Sequence, residues 1–188
     1  MIVLYGSFNC PYSFLASLRA DRVAARGAET VEWRMVLHDP DAPTDGRVVT
    51  GRLADMLDRE LAEIREMLAP GELYPARRPA VQPNTTAAVA GYASVVGREA
   101  DRLRAALFEA FWVDGLNIGD RAVLDRLGCP SASPGEMTRR WQSEWEGMER
   151  RVVPMMVLPD GRLSRGLGTL SRLAEMAAAG EREPVDRS

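Results

Sequence analysis

The 188-residue chain has no lysine, so all 24 of its basic residues are arginine, and it has one histidine and two cysteines. The missing lysine reads as a composition bias, because the arginines are scattered and matched by 27 acids. A formal net charge of −3 gives no basic footprint for nucleic acid. His38 is the only histidine, and Cys10 and Cys129 lie far apart, so no metal-ligand spacing exists. A structural disulfide is not expected in a reducing compartment. No apolar run is long enough to span a bilayer. The first strand begins at Met1 without a basic and apolar leader, and the expected location is cytoplasmic. Internal repeats and low-complexity tracts are lacking too. What remains is an ordinary globular composition, 46% hydrophobic and 27% charged, in a length that suits one domain or a small domain with an insertion.

The most informative stretch is Phe8-Asn9-Cys10-Pro11-Tyr12-Ser13-Phe14. It follows the apolar, β-prone run Ile2-Val3-Leu4-Tyr5 and Gly6, which reads as a buried first strand. An amphipathic helix comes after it, with Phe14, Leu15, Leu18, Val23 and Ala24 inward and Arg19, Asp21, Arg22 and Arg26 outward. Pro11 suits the first helical turn, where its missing N–H costs nothing. Cys10 is therefore placed at a helix N-terminus, where free N–H groups and the dipole favour the nucleophilic thiolate. The same context also fits a small buried cysteine at a strand–helix junction.

Residues 30–37 alternate well enough for a second strand, completing a right-handed βαβ unit. The turn-rich segment 38–46 closes it, with His38 as a solvated loop residue. From Thr50 to about Met148 the pattern is helical. One helix closes at Pro70-Gly71, and residues 74–83 are an irregular connection. A helix capped by Asn84 or Thr85 continues to Gly97, and another covers about 99–113. Asp120 caps a short helix, and Ser133-Pro134-Gly135-Glu136 reads as a capping box opening a helix with Trp141 and Trp145 in the core. Residues 152–158 and 162–165 then form a hairpin about Pro159-Asp160-Gly161, followed by a helix over about 169–179 and a charged tail. Pro154 inside an apolar strand calls for a first or edge position, or a cis bond.

A strand leading to Cys-Pro-Tyr-Ser at a helix start, a helical insertion, and Val153-Pro154 opening a hairpin resemble the thioredoxin superfamily. The resemblance is to its DsbA-like branch, with the 2-hydroxychromene-2-carboxylate isomerases and kappa-class glutathione transferases, and covers about 1–178. It implies an α/β thioredoxin fold: 1–48 and 150–180 form the thioredoxin-like domain, 49–149 an all-helical insertion, and 181–188 a flexible tail. It also implies that Cys10 is the reacting centre, that Pro154 is cis, and that Val153 offers backbone groups to an extended substrate or thiol. Asn9, Pro11 and Tyr12 join them as contact residues. Pro83-Asn84-Thr85 resembles a glutathione-contacting segment, which makes Asn84 a further candidate.

Two departures from the family matter. Dithiol members have cysteine where this chain has Ser13, and the isomerase and kappa branches have serine where it has Cys10. Ser13 cannot resolve a mixed disulfide, but its hydroxyl can donate to the Cys10 thiolate and lower its pKa further. Cys129, at a helix end, reads as structural. The reading put first is a monothiol thiol–disulfide oxidoreductase. The alternatives are a thiol-cofactor-dependent isomerase or transferase acting on a small molecule, aromatic or not, and a non-catalytic binding protein. No tightly bound cofactor or metal is expected. The expected partners are a low-molecular-weight thiol (glutathione or an equivalent) and a protein disulfide, with a homodimer left open and neither nucleic acid nor membrane.

Overall fold

The computed structural model describes residues 1–25, 27 and 30–179; Arg26 and the expected tail lie outside the described residues. Strand β1 (Ile2–Gly6) leads through the Phe8–Cys10 turn into helix α1 (Pro11–Ala25) and strand β2 (Val31–Met35). A short strand β3 (Arg47–Val48) precedes helix α2 (Gly51–Glu66), strand β4 (Val81–Gln82) and helices α3 (Thr86–Ala93), α4 (Gly97–Trp112), α5 (Arg121–Arg126) and α6 (Glu136–Glu146). The chain closes with strands β5 (Met155–Val157) and β6 (Leu163–Arg165) and helix α7 (Leu167–Ala179). The main sheet has the order β2-β1-β5-β6. β1 runs parallel to β2, with Ile2 opposite Val31, and antiparallel to β5, with Leu4 opposite Met156. This is the expected βαβ…ββα thioredoxin fold carrying a helical segment between β2 and β5.

The helical segment and the sheet share one core. Phe8, from the turn before Cys10, meets Phe108 of α4 at 5.1 Å and Tyr92 of α3 at 6.1 Å between ring centroids. Phe14 stacks on Phe108 at 5.6 Å and meets Tyr74 at 5.4 Å. The polar–apolar periodicity foresaw α2, α4 and α6 because each presents one greasy stripe to the interior, whereas α3 is buried nearly all round.

Four expectations need correction. The segment between β2 and β5 is not wholly helical: β4, inside the presumed irregular connection, pairs with β3, and a two-residue ladder leaves no periodicity to read. Helix α3 stops at Ala93, because the Ser94 hydroxyl turns back to the Gly91 carbonyl at 2.7 Å. Gly97, at φ +60°, opens α4 rather than closing α3. The capping box at Ser133 does not form; extended Gly135 is the N-cap, and Glu136 starts the helix. Cysteine and aromatic placements were unaffected by these shifts.

The fourth correction concerns Arg19, expected on the outer face of α1 but only 3% exposed. Helix α1 is covered by α7 on one side and by α2 and α4 on others, so it has no wide solvent face. The Arg19 guanidinium donates from Nε and Nη2 to Glu72 at 2.8 and 2.6 Å, and from Nη1 to the Leu170 carbonyl at 2.9 Å. It thereby ties α1 to the turn after α2 and to α7. Burial alone would raise the Glu72 carboxyl, but the Arg19 hydrogen bonds and the Ala69 N–H outweigh it and hold its pKa below the ordinary value. Its stabilising contribution is complete above the unfolded carboxyl pKa and is lost as pH falls through the lowered folded value. Glu72→Ala strands a buried guanidinium, and urea denaturation should show a loss of about 3–5 kcal/mol. The apolar pair Arg19→Met with Glu72→Leu should lose much less.

Candidate active site

Cys10 stands immediately before α1, its N–H bonded to the Ser7 carbonyl at 3.1 Å and its own carbonyl accepting from Phe14 at 3.2 Å. This turn is short because Pro11 fixes the first helical φ and needs no partner for a missing N–H. The position expected from sequence is thus the observed one. The Val153–Pro154 peptide bond is cis, and the Cys10 thiol donates to the Val153 carbonyl at an Sγ···O distance of 3.6 Å. Residues 143 positions apart in sequence meet there.

The frame around the sulfur is held by backbone contacts from several elements. Trp112 donates its indole N–H to Phe8 O at 2.9 Å, and Asn9 donates its amide to Pro83 O at 3.1 Å. The Tyr74 hydroxyl reaches Pro11 O at 2.9 Å, and the Tyr12 hydroxyl reaches Glu63 Oε2 at 2.6 Å. On the opposite wall Trp145 donates to Val152 O at 3.1 Å, and Pro154 O accepts from Gly166 N at 2.8 Å and from the Thr169 hydroxyl at 3.4 Å. Ser13 is fully buried and accepts from Ser7 N at 3.2 Å.

The electrostatics reverse one expectation. Burial pushes the Cys10 thiol up to about 11, although the Ser13 hydroxyl and the N–H groups of Ser13 and Tyr12 pull the other way. The Glu60 carboxylate of α2 adds to the rise. The helix start and Ser13 do favour the thiolate as foreseen, but a residue 9% exposed loses more in solvation than those dipoles return. Sequence could not weigh the two, since the cover over the sulfur comes from distant segments.

Of the other sequence candidates, Asn9, Pro11, Tyr12, Val153 and Pro154 all meet at this centre. Asn9 is buried and its Oδ1 has no hydrogen-bond partner. Asn84 is placed differently: its amide donates to Ala42 O at 2.8 Å and its oxygen accepts from Thr86 N at 3.0 Å, so both ends serve the fold. Cys129 is a buried free thiol packed on Gly91, where an added Cβ would lie 2.4 Å from its sulfur, and it forms no disulfide with Cys10. His38 is exposed in its loop, as expected. Glu60, Glu63, Tyr74 and Trp145 were missed as neighbours of the site; Glu60 and Glu63 looked like ordinary polar-face residues of α2. A cavity of about 510 Å³ lined by Asp21, Trp33 and Arg104 lies toward the other end of α1. Among the described residues no cluster of three or more metal-binding side chains occurs, and no helix is long and apolar enough to cross a membrane.

Residues 1–129 match the family model of the DSBA-like thioredoxin domain. The chain belongs to that family. Its structural neighbours include a 2-hydroxychromene-2-carboxylate isomerase, with TM-score 0.66 at 20% identity over 96% of this chain and 94% of that one. A probable DsbA oxidoreductase from Streptomyces coelicolor has TM-score 0.65 at 16% identity, covering 100% and 93% of the two chains. The cytosolic disulfide reductase DsbM from Pseudomonas aeruginosa, solved with glutathione, has TM-score 0.57 at 16% identity and 96% of each chain. These likenesses establish the DsbA-like fold. No curated sequence matches the chain. For this family member, the rate of Cys10 alkylation should rise with pH to a midpoint near 11, well above the ordinary thiol. Ser13→Ala should move that midpoint higher, because it removes a donor that favours the thiolate; an unchanged or lower midpoint would contradict the assigned role of Ser13.

Proposed function

We propose that the protein is a monothiol thiol–disulfide oxidoreductase that works through mixed disulfides on Cys10. The observation that carries this reading is a free sulfur at the start of α1, bracketed by Ser13 and the Val153 carbonyl, with serine where a resolving cysteine would stand. Cys10 gives up its proton and attacks one sulfur of a disulfide. The bond to the second sulfur breaks, and the departing thiolate takes up a proton. Cys10 is then held in a mixed disulfide, and an outside thiol attacks it, forming a new disulfide and returning Cys10 to the thiol. Asn9, Pro11, Tyr12 and the backbone of Val153–Pro154 contact the substrate or thiol, and the outside thiol is glutathione or an equivalent in a reducing compartment. Membership of the DSBA-like family and the DsbM neighbour solved with glutathione support this choice.

A second reading is a thiol-cofactor-dependent isomerase or transferase for a small aromatic molecule. It is supported by a sulfur that burial keeps protonated near neutral pH and that donates to a carbonyl, as a hydroxyl would. Full retention of a thiol-dependent isomerisation by Cys10→Ser would favour it.

Under the oxidoreductase reading, mass spectrometry of wild-type protein treated with a glutathione disulfide should find a stable adduct on Cys10. Cys10→Ala should lose it and Cys129→Ala should keep it. Ser13 lies one helical turn on from Cys10, so Ser13→Cys should form an internal disulfide under oxidation and reduce insulin-type disulfides that the parent handles poorly. Equal insulin reduction by parent and variant would overturn the monothiol mechanism.

A further inference from the structure

The side of the Cys10 site that α2 covers carries negative charge. On α2, Glu60 and Glu63 stand three residues apart and therefore share a face of the helix. Glu63 Oε2 is 2.6 Å from the Tyr12 hydroxyl, which fixes that face over the Cys10–Ser13 turn. Glu63 is exposed and Glu60 half-buried, so both are open to a molecule entering beside the thiol. Glu60 acts on the sulfur, on Tyr12 and on Tyr74, and its own carboxyl lies above the ordinary value through burial and then through Glu63. The nearby cations are Arg59, the residue before Glu60, whose charge partly offsets that carboxylate, and Arg65, which donates to Ala76 O at 2.9 Å and whose charge acts on Tyr74. Among the described residues no ion pair engages Glu60 or Glu63, in a chain where Asp58, Glu72 and Glu144 each have an arginine. At the sulfur itself the Val153 carbonyl is an acceptor, and the Ser13 hydroxyl and the N–H groups of Ser13 and Tyr12 are donors that face the thiol.

We propose that Glu60 and Glu63 are specificity-determining residues that make the Cys10 site select positively charged disulfides and thiols over neutral ones, and neutral over anionic. This rests on the monothiol reading given above. An ammonium group on the substrate meets two carboxylates that no salt bridge among the described residues engages. A carboxylate at the same place meets their repulsion. Glutathione carries one ammonium group beside its two carboxylates, and the ammonium is the end that this face accepts. The exchange itself is unchanged: the Cys10 thiol and a symmetrical disulfide give the mixed disulfide on Cys10 and one free thiol, the proton passing to the departing thiolate.

The test measures the rate of Cys10 adduct formation with cystamine, hydroxyethyl disulfide and dithiodipropionate. Each rate is divided by that of 2-mercaptoethanol with the same disulfide, which removes differences in leaving-group strength. Wild-type protein should prefer cystamine to dithiodipropionate by about tenfold or more at low salt, with hydroxyethyl disulfide between, and the spread should shrink in 1 M salt, where the Debye length falls to about 3 Å. Glu60→Gln with Glu63→Gln should bring the three rates together while still forming adducts; the carboxamide introduced at position 63 keeps an oxygen that accepts from Tyr12. Equal or reversed normalised rates in wild type, or an unchanged preference in the double variant, would overturn the inference alone. Failure of Cys10 to react with any of the three would overturn the monothiol reading and the inference with it.

Discussion

Helix α1 is packed on more than one side, and most of the molecule follows from accommodating it. A helix with a broad solvent face could carry Arg19 as a surface residue, as α1 does carry Asp21. Here Arg19 is sealed against Glu72 and the α7 backbone, and Arg104 crosses from α4 to Ser17 and Asp21 while its guanidinium lies 5.2 Å above the Trp33 ring. Small residues at 13, 16, 17 and 20 allow the neighbouring elements to approach closely. At the end of β1, Gly6 serves the same need: a Cβ there would fall 2.7 Å from the Trp33 ring. The reacting centre inherits this packing, because a cysteine at the mouth of a covered helix is itself covered.

That inheritance explains which parts of the protein could be read from residues. The order of strands and helices was readable because each long element carries one periodicity and meets one core. Cys10, Pro11 and Val153–Pro154 were readable because local chemistry marks them: proline in a first turn, and proline in an apolar strand. The thiol's protonation state was not, since it depends on burial and on the Glu60 carboxylate, which segments distant in sequence bring to the sulfur. Arg19 was misplaced for the same reason. A weakly amphipathic helix buried on several sides shows in sequence only its charges, and its buried arginine is recognisable only once Glu72 is seen opposite. Short features such as β4 and the Gly135 cap carry too few residues for any pattern to show.

The conditions at Cys10 differ from those of a thiol kept permanently ionised. A standing thiolate without a second cysteine would couple to whatever disulfide arrived first and remain there. Under the proposed monothiol reading, a sulfur kept protonated and bonded to the Val153 carbonyl would react when a substrate replaces that carbonyl as its neighbour. The hydroxyl of Ser13 and the N–H groups of Tyr12 and Ser13 are already in place to receive the charge when it forms. Thus the same groups that fail to ionise the resting thiol lower the cost of ionising it in the encounter.

A raised thiol also governs how the mixed disulfide is resolved. Intrinsic nucleophilicity rises with thiol pKa, with a Brønsted slope of about 0.4–0.5, while the ability to leave falls. Once ionised, Cys10 is therefore a strong attacker; within a mixed disulfide it is the weaker leaving group, and its bond to the substrate sulfur persists. Attack on the Cys10 sulfur only exchanges one mixed disulfide for another. To free Cys10, an incoming thiol must be held against the substrate's sulfur, a role that the proposed mechanism gives to the surface around the site. In a dithiol enzyme, a cysteine at residue 13 makes the second attack from within, and selectivity for the outside thiol matters little. Under the proposed mechanism, serine at 13 would pass the choice of resolving thiol to the rim of the site, where α2 places the carboxylates of Glu60 and Glu63 beside the cations Arg59 and Arg65.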